Sequence, residues 1–488
     1  MSVVLPTLDL KQVEFRVLPM RTRFPFKYGI ASLTALPHLI LQVEVEINGQ
    51  AASGLSSEGL PPKWFTKSPD TTFEEDLPAI LEVIRKAADI ALEAPAGSFF
   101  NLWRNLAQEQ AVWALRSGHP PLLTNLGVSL VERALLDALC RHLGLSAQQV
   151  IRDNLLGLCL GDIRPELGET LPANFLPEIP ANSVVARHTI GLGDPLTPEE
   201  VTNDTRTSDT LPLDLESCVQ TYGLTHFKIK VCGDLATDVV RLRAIADLLG
   251  NNVLFTLDGN EQYASIAAFR EHWEAWREDD IVRAFLDAGL LLVEQPAHRD
   301  ETFAAGVVDD LAAWPERPAF IIDEADGSLD SLPAALALGY DGVSHKNCKG
   351  IVKGLANAAT LAQASDNRDR SLHLTGEDLA NVGPIALLQD LAIMTTLGIS
   401  HVERNGHHYF CGLSAWPETV RESILVHHSD LYHRHEDGFP TLCIKSGKLS
   451  LASINAAPFG IGTLLECESL AAVDLANAEE FVVIGLPT

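Results

Sequence analysis

The apolar positions of this chain change rhythm twice. In the first part, apolar segments at 13–18 and 38–45 predict strands, and a 3.6-residue spacing predicts helices over 73–92 and 129–143. The second of those helices, SLVERALLDALCRHL, runs into Gly144, a fitting stop. Strands followed by helices predict a small α+β domain over 1–150. Residues 150–182 are rich in Pro and Asn and read as a linker or an insertion. Over 183–410 short apolar runs alternate with amphipathic stretches. Strands are predicted at 184–190, 225–231, 253–257, 290–293, 319–322, 342–344, 372–374 and 401–402. Between the second and third, Val239, Leu242, Ala246 and Leu249 share one helical face that stops at Gly250. This alternation predicts a (β/α)-barrel. A doubly wound open sheet is the alternative, but no Gly-x-Gly-x-x-Gly follows the first strand. The remaining 411–488 carry a hairpin pattern around Ser446–Gly447 and are expected to return to the first domain. The fold class is therefore α/β: a (β/α)-barrel, or modified TIM barrel, with an α+β capping domain formed by the N-terminal region and the C-terminal tail.

Composition narrows the function. Against 36 Lys+Arg stand 65 Asp+Glu, a formal charge of −29, which argues against nucleic acid or an anionic membrane surface as partner. No basic region followed by an apolar stretch opens the chain, and no apolar run approaches the roughly 18–20 residues of a membrane span. The eight cysteines are scattered without a Cys-x-x-Cys pair and read as reduced thiols of a cytoplasmic protein.

The chemistry sits at the ends of the predicted barrel strands. Three of them close on a carboxylate: VLFTL-Asp258, LLLV-Glu294 and FII-Asp323. The acids are 36 and 29 residues apart, each spacing being one strand–helix unit. In a barrel such residues face the mouth, so consecutive strands would bring all three to one point. Three converging carboxylates demand a cation, and an all-oxygen set suits Mg²⁺, with Mn²⁺ as the alternative. The second strand reads Lys228-Ile229-Lys230, whose lysines point to one face. Lys346 follows the sixth strand, 23 residues after Asp323. Lys230 and Lys346 would flank the cation from opposite sides, and a desolvated lysine near a cation can act as a base.

The Lys-x-Lys, Asp-Gly-Asn, Val-Glu-Gln-Pro and Ile-Asp-Glu motifs, with the lysine after the next strand, resemble the enolase superfamily. Within it they resemble the muconate lactonizing enzyme subgroup (mandelate racemase/muconate lactonizing enzyme-like). The resemblance implies a Mg²⁺ held by Asp258, Glu294 and Asp323, and a carboxylate substrate on the metal. It implies Lys230 and Lys346 as the acid/base pair, with Lys228 tuning Lys230 or binding the carboxylate. Asn260 and Glu324 match positions that support the metal and lysine shell. The implied activity is removal of the proton alpha to a carboxylate to give a metal-stabilised enolate, then racemization, epimerization or cycloisomerization: an isomerase, or a lyase. It also implies a homo-oligomer and two cap loops that set specificity, 24–32 and 54–64. In these, Phe24, Phe26 and Tyr28 suggest an apolar wall, and Lys27 or Glu58 a polar contact.

Two rival functions share the site: an acid-sugar or hydroxy-acid dehydratase (or o-succinylbenzoate-synthase-like dehydration), and an inactive barrel that serves as a binding protein. Intact lysines and acids argue against the second. The eighth strand, HVERN, lacks the paired aspartates with which dipeptide epimerases hold a substrate ammonium. In the seventh, LHLTGED, His373 or Glu377 would reach the mouth. A zinc site is conceivable in the stretch 427–437, with His427, His428, His433 and His435, but an exposed polar loop fits it better.

Overall fold

The computed structural model describes residues 4–202, 207–365 and 368–486. The N-terminal strands are longer than the apolar segments that announced them. β1 (Leu8–Tyr28), β2 (Ala31–Ile47) and β3 (Gln50–Gly59) form an antiparallel meander with β2 in the middle. Two helices pack on it, α1 (Phe73–Glu93) and α3 (Pro121–Leu143), and α2 (Phe99–Ser117) packs on those two. The first is started by a capping box between Thr72 and Glu75.

The helix α3 ties this cap to the rest of the molecule. Every residue from Leu126 to Cys140 is buried, polar ones included. Gly54 lets β3 approach it so closely that a Cβ there would stand 2.1 Å from the Ala134 carbonyl oxygen. Arg133 donates to the Ser57 carbonyl at 2.9 Å and to Glu58 at 2.9 Å. Glu132, on the same helix, accepts from the Ile351 amide at the start of the helix Ile351–Ser365.

Eight parallel strands follow: β4 (Ser183–Ile190), β5 (His226–Lys230), β6 (Leu254–Asp258), β7 (Leu290–Glu294), β8 (Phe320–Ile322), β9 (Gly342–His345), β10 (His373–Gly376) and β11 (His401–Arg404). Each pairs with the next, and β11 pairs back with β4 from His401↔Val185 to Arg404↔His188, which closes the barrel and rules out an open sheet. On the helix after β5, Leu242 and Ala246 are buried as the pattern predicts, while Val239 and Leu249 sit half-buried at the margin.

One expectation changes. The 150–182 stretch is an ordered connection of short helical turns, not a linker. Arg164 clamps it to the barrel, donating to the carbonyls of Leu329 and Ala356 (both 3.0 Å), to Thr360 (2.7 Å) and to Asn357 (2.6 Å). The turn at Ser446–Gly447, both with positive φ, first carries the chain onto the barrel. After the hairpin β12 (Tyr432–Arg434) and β13 (Pro440–Leu442), β14 (Lys448–Ser450) runs antiparallel along the start of β4. The tail then returns to the cap as expected: β15 (Ala471–Ala472) pairs with Arg16 and Val17 of β1, and the helix Ala478–Gly485 packs on β1, β2 and α1. Among the described residues no helix is long and apolar enough to cross a membrane.

Candidate active site

Strand register sets the site. Lys230 lies opposite Asp258, and Asp258 opposite Glu294, in adjacent strands; Asp323 directly follows β8. All three acids and Lys228, Lys230 and Lys346 are buried at the mouth formed by the strand C-termini. Lys230 belongs to the second strand of the barrel and Lys346 follows the sixth. Four strands of eight apart, they stand on opposite sides, with the acids of the third, fourth and fifth strands between them.

Lysines neutralise the acids. Lys228 is central: its ammonium is 2.7 Å from Glu294, 2.9 Å from Asp258 and Glu377, and 3.1 Å from Glu403. Burial opposes its charge, but the four carboxylates outweigh that and hold its pKa well above the lysine value. Lys228 is thus held as a cation at the centre of the acid cluster. Lys230 pairs with Asp258 at 2.6 Å, and Lys346 with Asp323. Lys349, which the sequence reading missed, pairs with Asp323 at 2.7 Å and donates to Ser344. Burial alone would raise Asp258 and Asp323; Lys228 and Lys230 hold the first below the carboxylate range, and Lys346 and Lys349 hold the second well below it.

Glu294 differs. Burial, reinforced by Glu377, pushes its carboxyl well up, and neither oxygen has a hydrogen-bond partner. A buried carboxylate that accepts no directed hydrogen bond and meets only the Lys228 ammonium, set between two further carboxylates, is an oxygen donor set that suits a hard divalent cation, so these residues fit Mg²⁺.

A supporting ring holds the acids. Asn260, at φ +40, donates its amide N–H to Asp258 at 2.9 Å and its side chain to Glu324 at 3.3 Å. Burial and the neighbouring Asp323 push Glu324 up to about 7. Gln295, quoted only as part of a motif, accepts the Asp323 amide at 2.9 Å and is itself pinned by Thr302 at 2.7 Å. On the far side Arg187 pairs with Glu377.

The cap completes the pocket. Phe26, Tyr28, Pro61 and Trp64 face Lys230 and Lys346 across it, and Asp378, Leu379, Ala380, Glu403 and Asn405 line the rest. Trp64 lies over the Lys346 ammonium, 4.8 Å from ring centroid to nitrogen. Glu403 and Asn405, two apart at the end of β11, occupy the place where paired aspartates were sought.

Several expected residues lie elsewhere. Glu58 is buried beneath the pocket in its pair with Arg133, because β3 turns that face toward α3. Phe24 stands behind the wall, edge-on to His408 at 5.0 Å, and Lys27 is exposed. His373 begins β10 and so lies at the opposite end of the barrel, whereas Glu377 does reach Lys228. The four histidines of 427–437 do not converge: His427 bonds the Ser423 carbonyl, His428 bonds Ser453, and His433 and His435 lie on β12 and just beyond it.

No protein-family model and no curated protein matches the chain. Solved structures do. An enolase from Bradyrhizobium complexed with magnesium and mandelic acid is 17% identical, with a TM-score of 0.58 and all of both chains covered. A dipeptide epimerase from Enterococcus faecalis is 16% identical, with a TM-score of 0.58 over 93% of this chain and 99% of that one. A muconate lactonizing enzyme from Pseudomonas fluorescens complexed with muconolactone is 16% identical, with a TM-score of 0.56 over 98% and 99%. The chain has the capped-barrel fold of these proteins.

Proposed function

We propose that this chain is an enolase-superfamily enzyme of the mandelate racemase/muconate lactonizing kind, which takes the proton alpha to a carboxylate of a small substrate and returns one. The observation that carries this reading is the pair Lys230 and Lys346, on opposite sides of one pocket with three carboxylates between them. Asp258, Glu294 and Asp323 would hold Mg²⁺, which supplies positive charge for a substrate carboxylate and for the enolate derived from it. That an enolase of the same fold is complexed with magnesium and mandelic acid supports both the metal and the substrate class.

The chain's own groups supply the rest. An α-proton of a carboxylate is very weakly acidic, so the negative charge that builds up on its removal must meet fixed cations. Lys228 provides one, held charged by its four neighbours. A divalent ion on the acids would take over the charge that Lys230 and Lys346 now offer Asp258 and Asp323, leaving the two lysines to face the substrate. One removes the α-proton and the other, on the opposite face, returns a proton, giving racemization or epimerization. Phe26, Tyr28 and Trp64 exclude water from above. Where the substrate carries a leaving group or a lactone bond beta to the carboxylate, the same site performs cycloisomerization or elimination.

The test is exchange of the α-proton into D₂O with Mg²⁺ across a library of 2-hydroxy acids, dipeptides, N-acyl amino acids and lactones. Exchange with at least one class supports the reading. No exchange with any of them, together with no Mg²⁺ bound at Asp258, overturns it.

A further inference from the structure

A second cluster lies outside the barrel, where its first and eighth strands close. Arg187 points into the barrel, toward Thr256 and Glu377, so its neighbour His188 points outward. There it meets Cys218, from the helix Leu215–Tyr222, and His408, from the turn of helix Gly406–Tyr409 that follows β11. All three are almost wholly buried, and one ligand atom from each lies within 4.8 Å of the others. Cys218 Sγ is 3.6 Å from His408 Nδ1. With bonds of roughly 2.3 Å to sulfur and 2.0–2.1 Å to nitrogen, a tetrahedral zinc places such a pair about 3.6 Å apart.

One further ring nitrogen is held by a hydrogen bond, and another faces a carboxylate at longer range. His188 Nδ1 is 3.0 Å from His407 Nε2, and His408 Nε2 is 3.9 Å from Asp194. Metal-bound imidazoles are oriented by a hydrogen bond on their second nitrogen, as His407 provides for His188. Held only by hydrogen bonds, the cluster would bury three imidazoles and a thiol for two contacts, one of them through the weak S–H donor.

We propose that His188, Cys218 and His408 form a buried site for a soft or borderline cation of the Zn²⁺ or Cu⁺ kind, distinct from the all-oxygen site in the barrel. Cys218 binds as the thiolate, its proton passing to solvent as the metal enters during folding. The ion staples three segments at the closing seam: the first strand, the helix after it and the end of the eighth strand. It also steadies the pocket wall. Phe24 packs on His408, and Phe26, stacked on Tyr409 at 4.0 Å, lines the pocket.

The experiment uses the full chain, purified without metal-chelate chromatography and dialysed against excess Mg²⁺, with zinc and copper measured by elemental analysis. The expected result is about one equivalent of zinc or copper per chain, lost in Cys218→Ser and kept in Glu294→Gln. Because Cys218 is wholly buried and its substitution also perturbs packing, wild-type protein refolded with Co²⁺ gives a second readout: a thiolate-to-cobalt charge-transfer band, which an oxygen site cannot produce. Absence of soft metal together with absence of that band overturns the proposal, as does metal retained by folded Cys218→Ser. Neither outcome bears on proton exchange at the barrel mouth.

Discussion

The Lys228 ammonium lies 2.7 Å from Glu294, and among the described residues it is the cation paired with that carboxylate. The contact makes Lys228 the keystone of the metal-free site, since it also serves Asp258, Glu377 and Glu403. Lys228→Met leaves four buried acids short of one charge. It should cost about 3–5 kcal/mol in denaturant unfolding without divalent ions. Mg²⁺ should restore more stability to this variant than to the wild type. An equal response of the two proteins to Mg²⁺ would show that Lys228 and the metal do not share a task.

Glu294→Gln should have opposite effects with and without metal. Its carboxyl is buried beside Glu377, Asp258 and Asp323, which together with burial outweigh Lys228 and favour the neutral form, so neutralising it should stabilise the metal-free protein by about 1–3 kcal/mol. The same change should weaken Mg²⁺ binding, read by calorimetry, by roughly tenfold or more. Unchanged Mg²⁺ affinity would remove Glu294 from the ligand set.

Lys230→Ala and Lys346→Ala should each lower turnover by on the order of 10²–10⁴-fold. Because the two stand on opposite sides, each variant should keep exchange with one enantiomer of a chiral substrate and lose it with the other. Loss of both enantiomers in both variants would mean that they act from one side.

These residues were legible because a barrel converts sequence spacing into position. An acid at the end of each of three consecutive strands has one destination, so Asp258, Glu294 and Asp323 could be placed from period alone. The cap offered no such rule. Which face of β3 meets α3 depends on the close approach at Gly54, which is why Glu58 went inward while Trp64 closed the pocket. Lys349 was overlooked because the turn Asn347–Lys349 brings it back to Asp323, a local geometry that alternation does not encode. The His188, Cys218 and His408 cluster draws on residues up to 220 positions apart and has no local signature.

Arg299 should govern how well the pocket closes. It grips Glu261 with two bonds, at 2.7 and 2.8 Å, and holds the carbonyls of Trp64 at 2.9 Å and Phe65 at 3.1 Å. Arg299→Met should free the loop that sets Trp64 over Lys346. KM should rise by about tenfold with a smaller change in kcat, since substrate enclosure is lost while the lysines stay in place. A fall in kcat at constant KM would instead place Arg299 in the chemistry.

His38 should make the cap acid-sensitive. It is wholly buried, with Ser57 as hydrogen-bond partner at 3.1 Å, and burial with the nearby Arg133 charge lowers its pKa to about 3. The unfolded chain takes up a proton near pH 6.5 that the folded chain refuses until pH 3. The stabilising contribution is therefore complete above pH 6.5 and is lost as pH falls, by about 1.4 kcal/mol per pH unit for each such histidine. Glu132 and Asp390, both raised to about 7 by burial, act in the opposite sense: they favour the fold more as pH falls toward the ordinary carboxylate range. The whole-protein slope is thus a balance, and a variant isolates the histidine. Between pH 7 and pH 5 the wild type should lose about 2 kcal/mol more than His38→Gln in urea unfolding. Parallel losses in the two proteins would mean that His38 is protonated in the folded cap.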